Sequence, residues 1–219
     1  MKFYQKLDGG VHVSAREYNI AASVPVSEGQ AVKLIGGLVV PASASETNAL
    51  LGVAAENHSG VADALDPRAE GEKILVIDDP AAVYRCAAPR VTATGGTGTT
   101  LVAAGIAAFT NDDFIGGCVK LISKAAGSTN ADKIGTVRVI MDFTETDRTF
   151  TLADGGIPCA GDIYAVFPPV GFAKGILNVS RTGIVLSATT NLPLRVIGAD
   201  TTLNQIYVMV KKHIFAVSA

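Results

Sequence analysis

The sequence predicts an all-β protein, arranged as two small barrel- or sandwich-like domains with little helix. Three observations predict it. Short apolar runs are separated by glycine and turn residues along most of the 219 residues. Several of those runs alternate apolar and polar side chains with the period of two that defines a strand with one buried face. Strands are not regularly followed by helical patterns, so a parallel α/β sheet is not expected.

The elements follow in order. Ala31–Val40 reads AVKLIGGLVV, two strands around Gly36-Gly37, a favoured hairpin connection because both residues accept positive φ. LLGVAA at 50–55 is a further strand. KILVID at 73–78 and AVYRC at 82–86 are two runs parted by Pro80, which has no N–H to give a ladder and so marks a break. PRVTATGGTGTT at 89–100 has loop composition and marks the domain boundary, with one β domain at 1–90 and a second at 91–219. The first twenty residues carry few core signals and are expected to form an extended arm that orders on a partner.

Beyond the boundary, GCVKLISK at 117–124 is a strand. IGTVRVIMDF at 134–143 alternates Val137, Val139 and Met141 against Arg138, Ile140 and Asp142, the pattern of a half-buried strand. DFTETDRTFT at 142–151 is a hairpin. IYAVF at 163–167 is stopped by Pro168-Pro169, and GIVLS, LRVI and QIYVMVKKHIFAV complete the set. Helix signals are confined to a turn or two at 42–51 and 99–108, where Thr99 or Thr100 could serve as an N-cap.

Composition narrows the function. Charged residues are 17% of the chain, hydrophobic residues 48%, and the mean hydropathy is +0.36. Such a surface suits a protein largely covered by partners. The formal net charge is −2, and no basic cluster exceeds Lys211-Lys212, so dense phosphate contact and a nucleic-acid partner are not expected. The N-terminus lacks the apolar core of a secretory signal, and no run is long enough for a membrane helix, so a membrane partner is not expected either. Asn57-His58-Ser59 and Asn178-Val179-Ser180 match the glycosylation pattern by chance on this reading.

Candidate chemistry is sparse. His12, His58 and His213 are far apart and fit no metal-binding spacing. Cys86, Cys118 and Cys159 form no CxxC pair and are expected as buried thiols in a reducing compartment. Gly95-Gly96-Thr97-Gly98 lacks the lysine of a phosphate loop and is expected as linker. Asp78-Asp79 and Asp112-Asp113 could hold Ca²⁺, but they fall where strands turn, and Asp caps turns with its own side chain. The expectation is a non-enzymatic protein with no catalytic, cofactor-binding or metal-binding residues.

Two stretches carry a resemblance. VSEGQAVKLIGGLVVPASASETNALLGVAAEN at 26–57 places a glycine after an acidic residue, then a strand, a glycine hairpin, and Leu51-Gly52-Val53. GEKILVIDDPAAVYRC at 71–86 follows it. Together they resemble, over residues 20–90, the small β domains of tailed-bacteriophage head decoration (capsid cement) proteins. The resemblance implies a virion structural protein, made in the host cytoplasm and seated on the outer capsid surface. Its partner would be the major capsid protein lattice, with a homo-oligomer such as a trimer as a further assembly. The rival readings are another virion component (head-fibre base, head–tail connector or tail-tube protein) and a carbohydrate-binding β module. The last would need Tyr4, Tyr18, Tyr84, Tyr164 and Tyr207 aligned on one face, because sugar platforms are aromatic.

The reading limits helix to below about 15%, and far-UV circular dichroism dominated by helical minima would refute it.

Overall fold

The computed structural model describes residues 1–6, 9–10, 13–43, 46–60, 73–104, 106, 109–173, 176–177, 184–185 and 193–215. The strands run in chain order as β1 (Lys2–Lys6), β2 (Ala15–Asn19), β3 (Ala31–Ile35), β4 (Leu38–Pro41), β5 (Gly52–Ala54) and β6 (Lys73–Ile77). Next come β7 (Ala82–Ala87), β8 (Arg90–Thr97), β9 (Thr100–Ala104), β10 (Cys118–Ser123), β11 (Val137–Thr144) and β12 (Thr149–Leu152). The remainder are β13 (Ile163–Phe167), β14 (Ile176–Leu177), β15 (Ile184–Val185), β16 (Leu194–Asp200) and β17 (Gln205–Val210). The protein is all-β, with no helix among the described residues.

Three larger sheets organise these strands. A five-stranded sheet has the order β2-β6-β5-β3-β4, a four-stranded sheet the order β1-β7-β17-β16, and β10-β11-β12-β9-β8-β13 close into a barrel; β14 and β15 pair separately. The β3–β4 hairpin turns at Gly36 and Gly37, whose φ values of 58° and 83° are those a tight turn demands of glycine. At Gly52 the backbone of β5 runs so close to β6 that a Cβ would collide with the Ile77 carbonyl, so the LGV glycine is a packing requirement. Pro80 lies where the chain passes from the five-stranded sheet, at β6, to the four-stranded sheet, at β7.

Several expectations are corrected here. The first twenty residues are not an arm that waits for a partner in their described strands: β1 bonds to β7 and β2 to β6, in two different sheets. The 89–100 stretch is not a linker. It forms β8 and the start of β9, a hairpin of the barrel in which Val91 and Ala93 point inward between exposed Arg90, Thr92 and Thr94. Small side chains conceal this alternation in the sequence. Thr99–Ala108 holds no helix in its described part, because Leu101 and Ala103 enter the barrel with period two. After the barrel the chain returns, and β17 pairs with β7. Residues 194–210 therefore share a sheet with 2–6 and 82–87, across the boundary placed near 90.

Two apolar cores result. The smaller lies in the five-stranded sheet and joins Ile20, Val26, Val32, Val39, Leu51, Ala54, Ile74 and Val76. The larger is continuous from Leu50 and Val53 through Tyr84, Ile206 and Val208 of the four-stranded sheet into the barrel. One barrel end is plugged by phenylalanines. Phe114 sits 4.9 Å from Phe109, 5.0 Å from Phe143, 5.2 Å from Phe150 and 5.2 Å from Phe172, ring centre to ring centre. Edge-to-face and tilted pairs of this kind add to the burial of each ring.

Replacing Phe114 by Ala removes the centre of this plug. It is expected to destabilise the protein by about 3–5 kcal/mol, read from the midpoint of urea unfolding.

Candidate functional site

The buried charged groups act as fasteners of turns. Glu46 is buried between β4 and β5; it accepts from Lys33 Nζ at 2.5 Å, from the Ser43 N–H at 3.3 Å and from the Asn48 N–H at 3.0 Å. Burial opposes its ionisation, but the Lys33 ammonium and the two amides outweigh it and hold the carboxyl at about 2. Asp162 is fully buried at the barrel end opposite the phenylalanine plug. It accepts from the N–H groups of Ala125 (2.9 Å) and Cys159 (3.1 Å), the Ser128 hydroxyl (3.1 Å) and the Asn130 amide (2.9 Å). The Asn130 amide also donates to the Tyr164 hydroxyl at 2.7 Å. Here too burial raises the carboxyl pKa, and the donors more than reverse it. Asp132 and Arg138 pair bidentately beside this cluster.

Both acidic doublets sit at turns. Asp79 accepts from the Ala81 N–H at 2.9 Å and pairs with Lys6 at 3.2 Å. Asp78 accepts from the Tyr18 hydroxyl and faces Arg16 at 3.5 Å. Asp113 accepts from the Thr110 N–H at 2.7 Å, and Asp112 adopts a positive φ of 72°. Among the described residues, no group of three or more His, Cys, Asp or Glu side chains converges as metal ligands would.

His12 and Asn178–Ser180 lie outside the described residues. His58 and His213 are buried, and each accepts a backbone N–H two residues ahead at Nδ1, from Gly60 and from Phe215, both at 3.1 Å. Burial lowers the pKa of His213. Of the cysteines only Cys86 is buried, its thiol pushed up to about 12 by desolvation. Cys118 and Cys159 are half-buried, which corrects the expectation for both. Hydrogen bonds from Thr129 and Ser128 lower the Cys159 thiol. The tyrosines make no row: Tyr84 and Tyr164 are buried, Tyr18 is tied to Asp78, and only Tyr4 and Tyr207 stack, at 4.6 Å. A cavity of about 500 Å³ is lined by Met1, Lys2, Glu28, Arg85, Cys86 and Gln205 among others, with both signs of charge.

The distinctive surface is apolar. On β11, expected as a half-buried strand, the exposed face is that of Val137, Val139 and Met141, which are 41%, 48% and 56% exposed, while Ile140 and Phe143 fill the barrel. Period two identifies the two faces of a strand but not which one is inside, and here the more apolar row is the outer one. A bulge between Ile140 and Asp142 in the pairing with β12 keeps Met141 outward and returns Phe143 inward. A second exposed apolar pair, Ile35 (58%) and Leu38 (38%), flanks the Gly36-Gly37 turn. Compared with family models, curated proteins and solved structures, the chain gives no match.

The Glu46 shift has a definite sign. A carboxyl held below its unfolded value of 4.5 stabilises the fold fully above that pH, and loses this contribution as pH falls toward 2. Glu46→Gln should therefore lower stability at pH 7 by on the order of 2 kcal/mol. It should also flatten the acid limb of the stability curve between those two pH values, followed by denaturant titration at a series of pH.

Proposed function

We propose that the chain is a virion structural protein that binds the outer surface of an assembled capsid and stabilises it, without enzymatic activity of its own. The observation that carries this reading is the β3–β4 hairpin tip. Ile35 and Leu38 stand exposed on either side of two glycines. They lie inside the stretch that resembles capsid cement domains. An apolar pair on a rigid turn gains from being covered, at roughly 25 cal/mol per Å² of apolar surface removed from water.

A low charge content supports the same reading, because the centre of a protein–protein contact is depleted of charge. The partner is the major capsid protein lattice. Repeated copies on a shell let modest single contacts suffice. On this reading the protein resides on the virion surface after synthesis in the host cytoplasm.

The test adds purified protein to expanded shells that lack it. The expected result is saturable binding with a fixed number of copies per shell, and a higher temperature of genome release, since a ligand specific for the assembled state stabilises that state. Ile35→Asp with Leu38→Asp should abolish shell binding while leaving the unfolding temperature of the isolated protein nearly unchanged. Failure of the unaltered protein to bind shells, with recovery in a tail or connector fraction, would favour another virion component.

A further inference from the structure

The exposed face of β11 is closed to one mode of association and open to another. Its backbone is bonded on one side to β10 and on the other to β12, so no partner strand can add to its edges. Whatever meets it must do so through side chains. The row Val137, Val139, Met141 offers no charge along its length, and exposed Ile134 and Ile115 extend the apolar surface. The Ile115 turn is held against β11 by the Gly116 N–H, which donates to the Ile140 carbonyl at 3.2 Å.

The charges lie just beyond the two ends, and they are opposite. Lys133 is exposed in the turn leading into β11, and Glu145 is exposed in the turn leading out. Among the described residues neither has an ion-pair partner within the chain. Half-buried Asp142 and exposed Asp112 and Asp147 reinforce the acidic end, where exposed Arg148 is the one opposing charge among the described residues of the turn, and at the other end Asp132 and exposed Asp154 are taken up by Arg138. Asp112 is held there by its N–H, which donates to the Phe143 carbonyl at 3.3 Å. At the basic end, Lys120 stands opposite Val137, with its ammonium bonded to the Thr201 carbonyl at 2.6 Å.

We propose that this face joins two copies of the chain about a two-fold axis passing near Val139. In that arrangement the two β11 strands lie antiparallel and face to face. Val137 of each copy meets Met141 of the other, and Lys133 of each lies at the Glu145 end of the other. A surface with a positive end, an apolar middle and a negative end complements itself under a two-fold rotation, which places unlike ends together. A parallel pairing places like charges together and forfeits that match. The pairing does not rest on the capsid reading, because it involves neither the hairpin tip nor a shell.

Sedimentation equilibrium of the intact protein, from dilute to the highest soluble concentration at low salt, tests it. The expected limiting mass is that of two 22.5 kDa chains. Val139→Asp should give a monomer with an unchanged circular dichroism spectrum. Lys133→Glu alone should raise the dissociation constant on the order of fivefold. Lys133→Glu combined with Glu145→Lys should restore the dimer, because a two-fold contact exchanges both ends at once; no purely structural role for either residue gives that recovery. A monomer at every concentration, a trimer, or a dimer that survives Val139→Asp overturns the proposal.

Discussion

Strand β7 is hydrogen-bonded on one side to β1, near the start of the chain, and on the other to β17, more than a hundred residues further along. Almost everything else is fastened to this strand. Ala82, Val83, Tyr84 and Cys86 are buried in it, and the Tyr84 hydroxyl donates back to the Ile77 carbonyl at 3.2 Å, tying the four-stranded sheet to the five-stranded one. At its other end the Ala88 N–H donates to the Asn204 carbonyl at 2.9 Å, and the Pro89 carbonyl accepts from Val166 of the barrel at 2.8 Å. The joint between barrel and sheet is therefore held by backbone hydrogen bonds on both sides, and one apolar core crosses it without a gap. A substitution at one of the buried positions of β7 should thus be felt beyond its own sheet, because those side chains are packed into the shared core.

The buried carboxylates serve the same rigidity by different means. Glu46 and Asp162 each gather backbone N–H groups of a turn onto one side chain, and half-buried Asp79 accepts one from Ala81. Loops between strands must satisfy their polar groups somewhere, and a buried carboxylate with several donors does so in little space. By residue type these groups look like candidate chemistry, yet their oxygens are spent on the fold. The exposed apolar faces, by contrast, keep unspent binding capacity.

Strands were the legible part of the sequence, and for a physical reason. Gln205–Val210 and Lys73–Ile77 show their alternation because large aliphatic side chains mark the buried positions. Arg90–Thr97 hides it because alanine and valine inside, and threonine and glycine beyond, read as loop composition; Gly96 is there because a Cβ would strike the Thr100 carbonyl and Pro158. The inward face of β11 was not marked by its composition, because the fully apolar row Val137, Val139, Met141 faces out while Ile140 faces in between Arg138 and Asp142, and only barrel closure decides between them. The pairing of β7 with β17 left no local trace at all, since contacts so distant in sequence depend on shape rather than on neighbouring residues. The turn-capping roles of Asp79 and Asp113 were legible, because they are local; those of Glu46 and Asp162 depend on Lys33 and Asn130, which only the fold brings near.

That long-range pairing governs the order in which the protein assembles on the ribosome. The five-stranded sheet draws on residues 15–77 and the barrel on residues 90–167, so each closes from a continuous stretch of nascent chain. Strand β7, translated between them, gains β1 on one side but has an open edge on the other until residues 205–210 leave the exit tunnel. Throughout that interval it presents unpaired N–H and C=O groups beside Val83 and Tyr84, a template that strands of neighbouring nascent chains could occupy. The barrel's closed ring, which has no edge to offer, keeps residues 90–167 out of such encounters while the last hairpin is still being made.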